Sequence, residues 1–194
     1  RNDRVGREAS WASLGLLRQR VTSADAYGWI ARYSADAYPD LAASLYEETG
    51  IDPEYRRRGG LEVAVTEEKL ASLGRFYAFH KSRKLAAQWV EPADVRALEP
   101  ALSPACLGGV HYTNDAQIRP PRALRALAAA FVGRGGHVIT DFKASRLAVG
   151  SDVVVESRGT TLRASTVVIA AGAWSGLLGD SAGLFLPVEP VRGQ

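Results

Sequence analysis

The spacing of apolar positions changes period several times along this chain. Over 23–49, Leu41, Leu45 and Tyr46 keep helical spacing. The pattern predicts one helix there, interrupted near Pro39, with Gly50 as its C-cap. The period drops to two in "GGLEVAVT" (59–66), where Leu61, Val63 and Val65 share one face of a half-buried strand. Thr66 then has the chemistry of an N-cap, with Glu67 and Glu68 in the first turn of a helix reaching about Leu85. "AQWVEP" reads as a short strand, Pro92 to Leu98 as a short helix and "LGGVHYT" (107–113) as another strand. Pro120 and Pro121 open the clearest helix. In it Leu124, Leu127, Ala128 and Phe131 fall at i, i+3, i+4 and i+7, and Gly133-Arg134-Gly135-Gly136 ends it.

Beyond residue 136 the runs are short: "HVIT", "SRLAV", "VVVES", "TLRA" and "TVVIA". Gly150-Ser151-Asp152 and Arg158-Gly159-Thr160 supply turns between strands. Val167 to Ala170 is apolar on both faces, as parallel strands inside a sheet are. Residues 6–17, "GREASWASLGLL", read as a loop entering a helix, packed through Trp11 and the leucines. The sum is an α/β nucleotide domain. A small antiparallel excursion replaces one of its crossover helices, and an α+β segment from about 50 to 115 is inserted in it.

"STVVIAAGAWSG" (165–176) raises a sharper question, because an apolar strand ends in almost nothing but small side chains. In open α/β sheets ligands sit beyond the carboxyl ends of strands, and Ala171-Gly172-Ala173 would be delivered there. Backbone without bulky substituents admits a flat or charged ligand at contact distance. A helix starting near Ala173-Trp174-Ser175 would add a weak anion site, and Trp174 would cover an adenine. A tight strand-to-helix turn against a neighbouring helix explains the spacing equally well. "ASWASLGLL" tilts the balance toward a ligand. Ser10 and Ser13 offer hydroxyls, Gly15 allows close passage by a ring system, and Leu16 offers a packing face.

Composition narrows the classes. The chain has 194 residues, 46% apolar, with a net charge of +3 that is too mild to imply nucleic acid. Arg56-Arg57-Arg58 lacks interleaved aromatics and reads as a solvated loop. A single cysteine, Cys106, excludes an internal disulfide and a cysteine metal cluster, and fits a cytoplasmic protein. No run reaches membrane-spanning length and no signal peptide opens the chain. The absence of methionine suggests a piece of a longer protein.

The stretches "GREASWASLGLL", "TGIDPEYRRRGGLEVAVTEEKL", "LEPALSPACLGGVHYTNDAQIRPPRALRALAAAF", "TVVIAAGAWSG" and "PVEPVRGQ" carry a specific resemblance. In order and spacing the chain resembles the middle of an FAD-dependent oxidoreductase of the D-amino-acid oxidase superfamily. Within that superfamily it is most similar to the glycine oxidases of the thiamine-biosynthesis type. The resemblance implies a partial FAD-binding Rossmann-like domain and part of an inserted α+β substrate domain. Residues 1–49 and 116–182 would belong to the first, 50–115 to the second, and 183–194 would start the return to it. It implies FAD as cofactor. Ala9, Ser10, Leu14, Gly15 and Leu16 would line the flavin-side loop, Ala144 would present its backbone to the adenine, and Ala171, Gly172 and Trp174 would close on the ribose and adenine side. It also implies a small amino-acid or amine substrate, molecular oxygen as acceptor and, since relatives are often homo-oligomers, self-association. The family's G-x-G-x-x-G turn should precede Arg1, and its carboxylate-binding arginine should follow Gln194, so no residue here is catalytic by carry-over. Other members of the superfamily are sarcosine oxidase, D-amino-acid dehydrogenase and 2-hydroxy-acid oxidoreductases, and a truncated, non-catalytic chain is a further reading.

Other chemistry finds little support. His80, His111 and His137 lack metal-ligand spacing and read as surface or half-buried. Ser10, Ser13 and Ser175 lack a nucleophile elbow. Glu47-Glu48 and Glu67-Glu68 read as solvated helix positions, Arg119 as a domain-junction residue, and His111 to Asp115 as a strand end and turn.

Overall fold

The computed structural model describes residues 5–18, 20 and 25–191. The polar opening Arg1 to Arg4, the predicted helix start at 23–24 and the end of "PVRGQ" lie outside the described residues. The chain divides into two compact units, 5–137 and, among the described residues, 138–191.

In the first unit a one-turn helix α1 (Ala9–Ala12) leads into a two-residue strand β1 (Leu16–Leu17). Helix α2 (Ala26–Thr49) then runs for 24 residues straight through Pro39, which does not break it. Pro39 forfeits one backbone bond, but both ends are fixed. The Asp25 carboxylate accepts from Gly28 N, and Gly50, at φ 69°, donates its N–H to Tyr46 O. Gly28, Ala35 and Ala42, spaced by seven, and Leu45 form its buried side.

Strand β2 (Gly60–Ala64) follows, then α3 (Glu67–Ser82), β3 (Ala87–Val90), α4 (Pro92–Leu98) and β4 (Gly108–Tyr112). The Thr66 hydroxyl does cap α3, accepting from Lys69 N, although the helix stops three residues short of Leu85. The three strands form an antiparallel sheet in the order β2-β4-β3. Period-two patterning gives it two buried faces. Ala64, Ala87, Val110 and Tyr112 pack with Leu70, Leu73 and Tyr77 of α3 on one. Leu61 and Val63 pack with Val90, Val95 and Cys106 on the other. Val65, expected on that second face, is exposed.

A turn at Thr113-Asn114 leads to β5 (Ala116–Gln117), which pairs antiparallel with β1. Helix α5 (Pro120–Gly133) lies against α2 through Ala126 and Ala130 around Leu45. The large residues of its predicted apolar stripe do not form that contact: Leu127 and Phe131 are exposed. The alanine side fits the small-residue side of α2 more closely than leucine and phenylalanine would.

The second unit is an antiparallel meander of β6 (Arg146–Val149), β7 (Val153–Ser157) and β8 (Thr160–Ala164), in that order. Its turns fall at the residues the sequence marks, with Gly159 at φ 73°. A 3₁₀ turn (Gly172–Trp174) enters α6 (Ser175–Ser181), which packs on β6. There the Leu147 N–H donates to Ser181 Oγ, which itself donates to Leu178 O. Two expected strands are not formed. "HVIT" (137–140) and "TVVIA" (166–170) carry no ladder, and Val168 is 83% exposed. A β-branched run becomes a strand only when another edge pairs with it, and among the described residues none does.

Candidate functional site

The five flavin-side candidates, Ala9, Ser10, Leu14, Gly15 and Leu16, lie in one short, largely exposed segment of the first unit. Helix α1 buries none of its residues, Leu14 is 84% exposed, and Trp11 and Leu16 stand half out of the protein. The Ser13 hydroxyl, a candidate donor to a ligand, donates instead to Ser10 O at 3.1 Å. Gly15 sits at φ 68°, and its carbonyl accepts from Ile118 N at 2.9 Å. A Cβ on Gly15 would run into Ile118 O and lie 2.9 Å from Pro120 Cδ. The bare Cα is therefore needed for the approach of the chain's own 118–120 segment, a reason the sequence reading did not contain.

Ala144, Ala171, Gly172 and Trp174 belong to the second unit. Ala144 lies two residues before β6 and is half-buried. Ala171 leads into the 3₁₀ turn, its carbonyl accepting from Trp174 N at 3.1 Å. Gly172 has φ 54°, and nothing lies within 4 Å of the place a Cβ would take. Here, unlike at Gly15, no protein atom fills the space. Trp174 is half out of the protein, and α6 has only seven residues. Both segments thus present open backbone, small side chains and accessible apolar faces. Each segment, within its own unit, is a place where a flat or charged ligand could approach the main chain closely.

The titratable groups lie elsewhere in the first unit, and the sequence reading missed how they connect. Arg20 Nε donates to Asp115 Oδ2 at 2.8 Å and its Nη1 to Glu62 Oε2 at 3.0 Å. Its guanidinium carbon stands 3.9 Å from the centre of the Tyr112 ring. Tyr112 Oη is 3.2 Å from Nδ1 of His80. His80, read from sequence as surface or half-buried, is in fact 4% exposed. It lies under Phe76 and Phe79, and its Nε2 has no hydrogen-bond partner among the described residues. Burial, then the nearby Arg20 charge, pushes the His80 pKa below the ordinary histidine value. The hydrogen bond from Lys69 holds the Glu62 carboxyl below its usual range, with the Lys69 and Arg20 charges adding to it. No local pattern announces this group, because Arg20 is 42 and 95 residues from its two carboxylates.

The remaining candidates are structural. Arg119 and Arg122 pair with Glu54, and the Glu48 carboxylate accepts two bonds from Arg134. Among the described residues no cluster of His, Cys, Asp and Glu is placed to hold a metal, and no helix is long and apolar enough to cross a membrane.

The first unit joins a three-stranded antiparallel sheet to helices, the second an antiparallel meander to α6, and each carries one bare-backbone segment. The sequence profile of the family described as FAD dependent oxidoreductase matches residues 1–194. The chain belongs to that family, whose cofactor is FAD. It is 32% identical to a glycine oxidase of Geobacillus kaustophilus (strain HTA426) and 33% identical to one of Pseudomonas putida, each match covering 98% of this chain and 52% of the relative. The crystal structure of glycine oxidase from Geobacillus kaustophilus superposes with a TM-score of 0.88 over 94% of this chain and 50% of that one, at 32% identity. The chain thus spans about half the length of the curated relatives it matches.

Proposed function

We propose that the protein carrying this chain oxidises glycine or a similar small amino acid. The substrate loses two hydrogens from its Cα and nitrogen to become an imine, and oxygen takes them up as hydrogen peroxide. Bound FAD supplies the redox chemistry, accepting the hydride and passing electrons to oxygen. The single observation that supports this reading most is the 32–33% identity to glycine oxidases along 98% of the chain. In this reading Ala9, Ser10, Leu14, Gly15 and Leu16 hold the flavin side of the cofactor. The Leu14 and Leu16 faces exclude water from it and backbone groups orient it. Ala144, Ala171, Gly172 and Trp174 hold the adenosine side, with Gly172 offering the closest backbone approach. No residue of this chain is assigned a catalytic role. Self-association, a cytoplasmic location and a part in thiamine biosynthesis belong to the same proposal.

The test is turnover of the protein expressed from its complete gene against glycine, sarcosine, D-alanine and 2-hydroxyglutarate, with peroxide and oxygen both followed. Glycine is expected to give the highest kcat/KM, with one peroxide formed per oxygen consumed. A preference for the hydroxy acid, or substrate oxidation without peroxide, overturns the proposal.

A further inference from the structure

We propose that Arg20 is a positioning residue for the loop 9–17, clamping it to the β2-β4-β3 sheet; the importance of this clamp to the cofactor rests on reading that loop as flavin-side. The Arg20 side chain, only 15% exposed, is held on two edges by carboxylates and on one face by Tyr112. Its partner Asp115 directly precedes β5, and β5 is the strand that pairs with β1. The next residue, Ile118, donates its N–H to Gly15 O. Residues 15–20 are thus fastened at both ends to 115–118: by Gly15 to Ile118 at one end, by Arg20 to Asp115 at the other, with the ladder between. Glu62 adds a second anchor from β2, itself steadied by Lys69 of α3.

Gly60 gives an independent sign that the clamp is built in. A Cβ there would meet Asp115 Oδ2 at 2.5 Å and Arg20 Nη2 at 2.7 Å. Its φ is not in the left-handed region, so its backbone does not demand glycine. What the bare Cα does is leave room for the ion pair. A planar fork satisfies two carboxylates and stacks on a ring at once, which a lysine does not.

Hydrogen exchange of the protein from its complete gene, with FAD affinity read by flavin fluorescence, tests the clamp. Arg20→Gln removes the charge. Gly60→Ala keeps every charge and displaces the pair. Both are expected to speed exchange at Leu16, Leu17 and Ile118 by on the order of tenfold or more and to weaken FAD binding and shift the visible flavin band. Exchange in α3 and in β6 to β8 stays as in the parent, and Arg20→Lys recovers part of the loss. Unchanged loop exchange in Arg20→Gln overturns the clamp. So does faster exchange spread evenly through α3 and β6 to β8, which would mark ordinary fold stabilisation. If the parent protein takes up no FAD, the flavin reading fails while the exchange data still decide the clamp.

Discussion

Gly15 and Gly172 look alike in sequence, yet the structure gives them opposite reasons for lacking a side chain. Gly15→Ala drives a methyl into Ile118 O at a positive φ and is expected to cost about 1–3 kcal/mol of stability from strain of this kind. Gly172→Ala meets open space, so its cost is limited to the left-handed backbone, about 1–2 kcal/mol, while FAD affinity falls if the cofactor lies there. Denaturant unfolding and flavin titration on both variants separate the two; a smaller loss of stability from Gly15→Ala than from Gly172→Ala contradicts this assignment. His80 gives a pH prediction. Its folded pKa is depressed by burial, with Arg20 opposing and Glu62 favouring the charged ring. Its stabilisation is therefore complete above about 6.5, the ordinary histidine value, and is lost as pH falls from there toward the lowered folded value. His80→Phe is expected to flatten that part of a stability-versus-pH profile, and an unchanged slope would count against the buried neutral ring. At this scale the sequence showed that Gly15 and Gly172 were special. It did not show why, because the atom that excludes a side chain at Gly15 belongs to residue 118.

Secondary structure was legible where its cause is local. Thr66, Gly50 and the Pro120-Pro121 pair fix helix ends through atoms a few residues away, and turn residues such as Gly159 fix the meander. Thr66→Ala is accordingly expected to cost about 1 kcal/mol, and Leu45→Ala, in the α2–α5 contact, about 2–5 kcal/mol. Thermal unfolding checks the order; equal effects would mean that the α2–α5 contact contributes little. What local reasoning cannot supply is a partner. "HVIT" and "TVVIA" have strand composition but no ladder, and the stripe on α5 has helical spacing but places Leu127 and Phe131 in solvent. The same limit hid the Arg20 group, whose members come from β2, β4, a turn and the segment after β1.

For the molecule as a whole, family and architecture were legible because several short stretches keep their order along the entire chain, and the match over residues 1–194 reflects that. Large apolar side chains remain in solvent in both units: Tyr27, Trp29, Ile30 and Tyr33 on α2, and Val168, Phe185 and Val191 in the second. Exposure on this scale favours association, and the unpaired run at 166–170 adds free backbone groups. Residues 1–194 expressed alone are expected to self-associate and to take up FAD at well below one per chain. Light scattering across a concentration series checks the first, and Val168→Lys should reduce it. A yellow, monomeric, stoichiometric complex would overturn both. The tie between Arg20 and Asp115 has one more consequence, felt while the protein is being made. The two residues are 95 positions apart. At roughly 5–20 residues per second, the ribosome releases Trp11, Leu14 and Leu16 about 5–20 seconds before it releases the anchor that holds them, so a nascent chain carries that greasy segment untethered for as long as the intervening residues take to make.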